Sequence, residues 1–295
     1  MRSQLSKEKI MAKILDMLIA RRIFFDGAMG TELQKRGLTK DPAILNLSNG
    51  EAIIDIHREY LAAGADIITA NTFGAYSHKY DNATDMIKAA MSHGRTALEG
   101  HPGKWLALDL GPTGLMLEPY GDTTPEECYK IFEEAIQTGT ACGADLILIE
   151  TMMDLTELEL AVTAAKKTGM PVFATMSFDK NGKTMMGASL EDMTALLERH
   201  NVDAIGMNCG FGPDVYIGLA KKLISITKLP IIVQPNAGMP LPAKPDQARP
   251  GEFLPARYSL SAGDFAAAMA EVDAMILGGC CGTSPAHIAA ITQLS

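Results

Sequence analysis

The residues with the most distinctive chemistry lie near the C-terminus, where Gly278-Gly279-Cys280-Cys281-Gly282-Thr283 sets two adjacent cysteines among glycines. A vicinal pair is a poor structural disulfide, because the bond needs Cα atoms about 4.4–6.8 Å apart with a specific dihedral, which neighbours meet only through a strained ring. Either the pair is redox-active or both sulfurs serve something else. A third cysteine, Cys209, ends the run Gly206-Met207-Asn208-Cys209. Three converging thiolates are soft ligands of the kind zinc prefers, and a three-ligand site leaves the fourth tetrahedral position open for chemistry. Whether the three converge depends on the elements that carry them.

Short apolar runs recur along the chain, each followed by a longer stretch with helical periodicity. They are Ile23-Phe25, Ile67-Ala70, Leu106-Leu110, Leu146-Ile149, Val172-Met176, Ala204-Met207, Ile231-Val233 and Ala274-Leu277. Apolar runs without polar alternation suit parallel strands covered on both faces, and strand-helix alternation implies right-handed crossovers. Helix starts are marked by Thr124-Pro125-Glu126-Glu127, Ser189 with Asp192, Ser261 with Asp264, and Ser284-Pro285. Gly64-Ala65-Asp66 and Gly143-Ala144-Asp145 repeat one helix-to-strand turn, a glycine C-cap and then an acid. Eight such units match a single (β/α)8 barrel over residues 1–295, with a short amphipathic helix at its N-terminus, better than a doubly wound sheet. No phosphate-binding glycine motif is present, since Gly27-Ala28-Met29-Gly30-Thr31 lacks the lysine.

Active sites of this fold sit at the C-terminal strand ends. In order these ends read Asp26-Gly27, Asn71-Thr72, Gly111-Pro112-Thr113, Glu150-Thr151, Ser177, Asn208-Cys209, Gln234-Pro235-Asn236 and Gly279-Cys280-Cys281. The sixth and eighth strands flank the seventh, so Cys209 can meet Cys280 and Cys281 across the rim. A proline-rich loop from Pro235 to Pro255 follows the seventh strand and is expected to cover or shape the site.

Composition narrows the rest. A net charge of −9, with dispersed acids and no lysine or arginine run, argues against nucleic acid as a partner. The N-terminal helix is interrupted by charge and carries no cleavage site, so neither a signal nor a membrane span is expected. Five cysteines, an odd number, fit free or metal-bound thiols in a reducing cytoplasm.

The motifs Asp26-Gly27-Ala28-Met29-Gly30-Thr31-Glu32-Leu33, Thr69-Ala70-Asn71-Thr72-Phe73, Gly111-Pro112-Thr113-Gly114, Ile149-Glu150-Thr151, Gly206-Met207-Asn208-Cys209-Gly210, Pro235-Asn236-Ala237-Gly238 and Gly278-Gly279-Cys280-Cys281-Gly282-Thr283 together resemble the zinc-dependent homocysteine S-methyltransferases. The likeness runs from about residue 20 to the end and is nearest the homocysteine-binding module of cobalamin-dependent methionine synthase. It implies Zn2+ on Cys209, Cys280 and Cys281, and homocysteine as the thiol acceptor. It also implies a carboxylate receptor at Gly27, Ala28 and Met29, with Glu150 accepting from the ammonium and Asp26 assisting. Asn71, Asn208 and Asn236 then orient substrate or metal ligands. The methyl donor implied is methylcobalamin or another corrinoid on a separate partner protein; S-methylmethionine or betaine as a free donor, or another small thiol as acceptor, is the alternative.

Plainer readings stand beside these. Cys128 and Cys142 read as core residues, and the rim cysteines as buried thiols or a redox pair. Glu150 could serve the next helix's N-terminus through a Thr151-Asp154 capping pattern, and Asn236 could be only a turn residue. The 18 methionines are spread along the chain, which suits core filling, and the six histidines show no metal-binding spacing. A zinc-thiolate binding protein without turnover is the non-enzymatic alternative.

Overall fold

The structure is a computed structural model that describes residues 12–14, 16–18, 20–241 and 256–294. Its strands are β1 (Ile23–Phe24), β2 (Ile67–Thr69), β3 (Trp105–Leu110), β4 (Leu146–Met152), β5 (Val172–Met176), β6 (Ala204–Asn208), β7 (Ile231–Gln234), β8 (Pro240–Leu241), β9 (Arg257–Tyr258) and β10 (Ile276–Leu277). Eight of them form one parallel sheet in the order β1-β10-β7-β6-β5-β4-β3-β2. A parallel bridge between Phe25 and Ile67 joins the two edges, so the sheet closes into the expected (β/α)8 barrel.

Alternation along each strand sorts side chains into two layers. Ile23, Phe25, Ile67, Trp105, Ala107, Leu146, Leu148, Phe173, Ile232 and Ile276 fill the barrel interior, while Leu106, Leu108, Leu110, Ile147 and Ile149 face the helical ring. Residues 12–14, 16–18 and 20 are helical, in keeping with the N-terminal helix, and Ile14 and Leu18 pack with the interior set. They stopper the barrel where the strands begin.

The local signals produce the elements they predict. Thr124 and Glu127 form a reciprocal capping box on the helix Pro125–Ala141, as do Ser189 and Asp192 on Leu190–Arg199. Gly64 and Gly143 take positive φ at the turns into β2 and β4. The acid after each glycine reaches the neighbouring strand: Asp66 accepts from the Phe24 N–H and Asp145 from the Leu106 N–H. Asp203, ahead of β6, accepts from the Val172 N–H in the same way. These acids knit the N-terminal end of the barrel and leave the opposite end free for function.

The loop after β7 departs from the helix-only pattern. Its ends pair as the antiparallel ribbon β8–β9, while the expected cover over residues 242–255 lies outside the described residues. Cys128 is wholly buried in the helical ring, and Cys142 ends the helix Pro125–Ala141, partly buried against the core.

Candidate metal centre

Cys209 follows the last residue of β6, and Cys280 and Cys281 lie in the turn after β10. Their Sγ atoms lie within 4.8 Å of one another, with Cys209 and Cys281 at 4.0 Å. A tetrahedral zinc with bonds of about 2.3 Å needs its sulfurs about 3.8 Å apart, so the donor set fits with small adjustments. All five cysteines are free thiols.

Backbone bonds hold the two turns together. Cys280 N–H donates to Pro235 O at 2.8 Å, Ala237 N–H to Cys281 O at 3.0 Å, and Cys209 N–H to Gln234 O at 3.0 Å. The end of β7 is thus the splice between the two cysteine-bearing segments. Cys209 itself sits at φ 59, and the Tyr216 hydroxyl lies against its carbonyl and that of Asn208. Gly282 takes φ 82 at the foot of the pair. A Cβ there would stand 2.2 Å from the Tyr258 ring, so glycine leaves room for the β9 tyrosine against the turn.

The thiols behave as one coupled unit. Hydrogen bonds from Cys209 and then Cys280 hold Cys281 down to about 3, with Tyr258 contributing. Cys280 is pushed well above its usual value, first by its hydrogen bonds with Cys209 and Cys281 and then by burial. The charge of a bound cation favours ionisation of all three.

The turn after β1 is locked to the cysteine turn. The Tyr60 hydroxyl reaches Ala28 O at 3.0 Å and Thr283 O at 3.2 Å, and Gly282 N–H donates to Thr31 Oγ1 at 3.3 Å. A Cβ on Gly27 would stand 2.6 Å from Thr283 Oγ1, so this close approach requires glycine. Ala28 N–H donates to Thr283 Oγ1 at 3.2 Å, whereas the N–H groups of Gly27 and Met29 have no acceptor among the described residues.

Acids line the barrel interior beneath this turn. Asp26 is buried and accepts from Thr69 through both oxygens, from the N–H at 2.8 Å and the hydroxyl at 2.9 Å. Burial pushes it up to about 7 against those bonds. Glu150, in β4, is pushed up to about 8 by burial first, then by the charges of Asp26 and Cys281. Asp109, in β3, is raised well above the ordinary carboxylate range by burial, then by Glu150 and Asp26.

Asn208 explains the shape of this corner. Its Oδ1 accepts from Thr151 N–H at 2.7 Å and Thr175 Oγ1 at 2.8 Å, and its Nδ2 donates to Thr151 Oγ1 at 2.7 Å. Thr151 is held at φ 60, beside Glu150. A Thr151-Asp154 cap does not form: Thr151 lies in β4 and Asp154 caps the helix Leu155–Lys166 itself, accepting from Glu157 N–H. Asn71 gives its amide to Pro42 O and Asn46 Oδ1, fixing the end of β2 to the helix Pro42–Ser48. Asn236 Oδ1 is buried with no partner among the described residues, as is Gln234 Oε1.

Sequence reasoning placed Gln234 on the rim without a role and passed over Asp109, Tyr60, Tyr216 and Tyr258. Asp109 left one signal, a lone acid inside an apolar strand run; Tyr60 and Tyr258 act from a helix and a ribbon distant in sequence, and Tyr216 from the helix that follows Cys209.

A parallel barrel whose strand ends gather three cysteines able to hold a metal ion, above acids that line its interior, is the class of protein described so far. The chain belongs to the homocysteine S-methyltransferase family, whose model matches residues 23–295. It is 33% identical over 300 aligned positions to methionine synthase of Mycobacterium tuberculosis, covering 93% of this chain and 25% of that protein. Methionine synthase of Mycobacterium leprae is 32% identical, covering 93% and 24%. The chain thus spans about a quarter of the length of these relatives. The metallated form of the homocysteine methyltransferase MmuM from Escherichia coli has a TM-score of 0.78 at 23% identity, covering 97% of this chain and 100% of that one, a likeness of fold. Among the described residues no helix is long and apolar enough to cross a membrane.

Proposed function

We propose that this chain transfers a methyl group to the thiolate of homocysteine, giving methionine, with zinc held by Cys209, Cys280 and Cys281. The observation that carries the reading is the convergence of three sulfurs within 4.8 Å at the C-terminal mouth of a barrel of this family. Bound there, zinc supplies the Lewis acidity that keeps the substrate sulfur a thiolate, the competent nucleophile, at neutral pH.

The chain's own residues bind and orient the substrate. Gly27 and Met29 offer N–H groups to its carboxylate, and Ala28 shapes their turn. Glu150 accepts from its ammonium, with the negative charge of Asp26 beneath. Asn208 holds Glu150 and Cys209 in mutual register, Asn71 fixes the rim at β2, and Asn236 offers an unpaired oxygen beside the cysteine turn. A zinc-thiolate protein that only holds the metal has no use for such a receptor set.

For the donor we infer a separate methyl-corrinoid protein, carrying methylcobalamin or a related corrinoid, that docks over the mouth. The supporting feature is the rim: Phe73, Met116, Tyr120, Met185, Met186 and Met239 are all exposed on loops after β2, β3, β5 and β7. Methionine is adaptable at contact surfaces, so methionine here does more than fill the core. S-methylmethionine and betaine are the competing small donors, and parallel methyl-transfer assays separate the three. The five unpaired thiols favour a reducing, cytoplasmic setting.

The test is zinc analysis with homocysteine titration of the wild type and Cys209→Ala. About one zinc per chain, lost in the variant, with a proton released as homocysteine binds, is expected for three ligands and an open position. Zinc without homocysteine binding sinks the acceptor assignment, and no zinc returns the vicinal pair to redox chemistry.

A further inference from the structure

Asp109 is a buried acid whose role the family motifs leave open. It alternates along β3 with Trp105 and Ala107, both in the interior set, so its carboxyl points into the barrel beneath the mouth. It is 7% exposed, and its Oδ1 is buried with no hydrogen-bond partner among the described residues. Leaving such an acceptor unpaired is costly, which makes its retention informative.

The neighbouring acids are differently placed. Both oxygens of Asp26 are engaged by Thr69. No hydrogen bond from another described residue reaches the Glu150 carboxyl, and the charges acting on it are those of Asp26 and Cys281, both negative. Those acting on Asp109 are Glu150 and Asp26. Among the described residues, no lysine or arginine is one of the groups acting on any of the three. Three acids converge without a cation from the described residues, and two of them have oxygens to spare. The complementary charge has to arrive from outside, on a group with several N–H donors.

We propose that Asp109 and Glu150 together accept hydrogen bonds from the ammonium group of the thiol substrate, so that Asp109 selects α-amino thiols over thiols that lack the amino group. This rests on the homocysteine reading and sharpens it: Asp26 supplies charge from a fixed position, and Asp109 supplies the second contact. An ammonium donates along three directions, which two carboxyl groups on neighbouring strands can meet from two sides.

The experiment is calorimetric titration of the zinc-loaded protein with homocysteine and with 4-mercaptobutanoate, its analogue without the amino group. The variants are Asp109→Asn and Asp109→Ser, with zinc content and thermal midpoint recorded for each. The wild type is expected to prefer homocysteine. Both variants are expected to lose about tenfold or more of homocysteine affinity, the scale of one charge-assisted hydrogen bond, while binding 4-mercaptobutanoate within about twofold of wild type. A wild-type preference retained in the variants overturns the assignment of Asp109. Equal loss of both thiols with zinc retained overturns it as well, by showing a structural role. A wild type that does not distinguish the two thiols marks failure of the amino-acid acceptor reading itself.

Discussion

Asn208 does more than its place beside Cys209 requires. Its three side-chain hydrogen bonds tie Thr151 and Thr175 to the end of β6, and Thr151 sits in the left-handed region. A β-branched residue there carries strain of about 1–3 kcal/mol, which persists only where neighbours over-determine it. Asn208→Ala leaves the Thr151 N–H and Thr175 hydroxyl without their acceptor. We expect a loss of about 2–4 kcal/mol in unfolding free energy, read by denaturant unfolding, with weaker homocysteine binding at unchanged zinc content. Asn208→Asp keeps the acceptor and loses only the donor to Thr151, so its loss should be smaller. An Asn208→Ala variant with unaltered substrate affinity would show that Glu150 needs no such support. The sequence marks Cys209, Cys280, Cys281 and Glu150 because their chemistry is local to short motifs. It hides the Asn208 network and the inward aim of Asp109, since both depend on strands paired across long separations.

At the scale of elements, glycine in β6 sets the strand spacing. A Cβ on Gly206 would lie 1.9 Å from the backbone oxygen of Ile232, in β7. Gly206→Ala has to push apart the two strands that carry Cys209 and Asn236; we expect about 3 kcal/mol of destabilisation and a lower zinc affinity measured by chelator competition. The helix Gly50–Ala62 holds a different liability. His57 is wholly buried, and neither ring nitrogen has a partner among the described residues. Burial, and then the neighbouring His93, lower it from 6.5 to about 3. Between those values the unfolded chain binds a proton that the native state does not, so stability is present above pH 6.5 and is lost as pH falls through that window. From pH 6.5 to pH 5 the contribution is about 2 kcal/mol. His57→Leu should flatten the urea-unfolding profile over that range, and an unchanged slope would assign the acid sensitivity elsewhere. The strands were legible because each is a short apolar run bounded by recognisable caps. The β4 end was not, because the chain extends through Glu150 and Thr151 to Met152 only with Asn208 holding it.

For the whole molecule, a metal ion held by Cys209, Cys280 and Cys281 would double as a clasp. Cys209 lies after β6 and the vicinal pair after β10, with β7 between them and β1 on the far side of β10. Metal that binds only the folded barrel stabilises it by mass action. A chelator should therefore lower the thermal midpoint of the wild type, with little effect on Cys209→Ala; equal shifts in both would place the ion elsewhere.

Ile14 and Leu18 pack into the barrel interior at the end opposite the cysteines. In the proposed reaction the entering thiol, the departing thioether and the methyl donor would then share the mouth at the strand C-termini. A large donor seated there would close over the thiol and over its product. Ordered binding, thiol first, is the expected outcome of product-inhibition kinetics, and raising the concentration of a bulky donor should trap product as well as drive its formation.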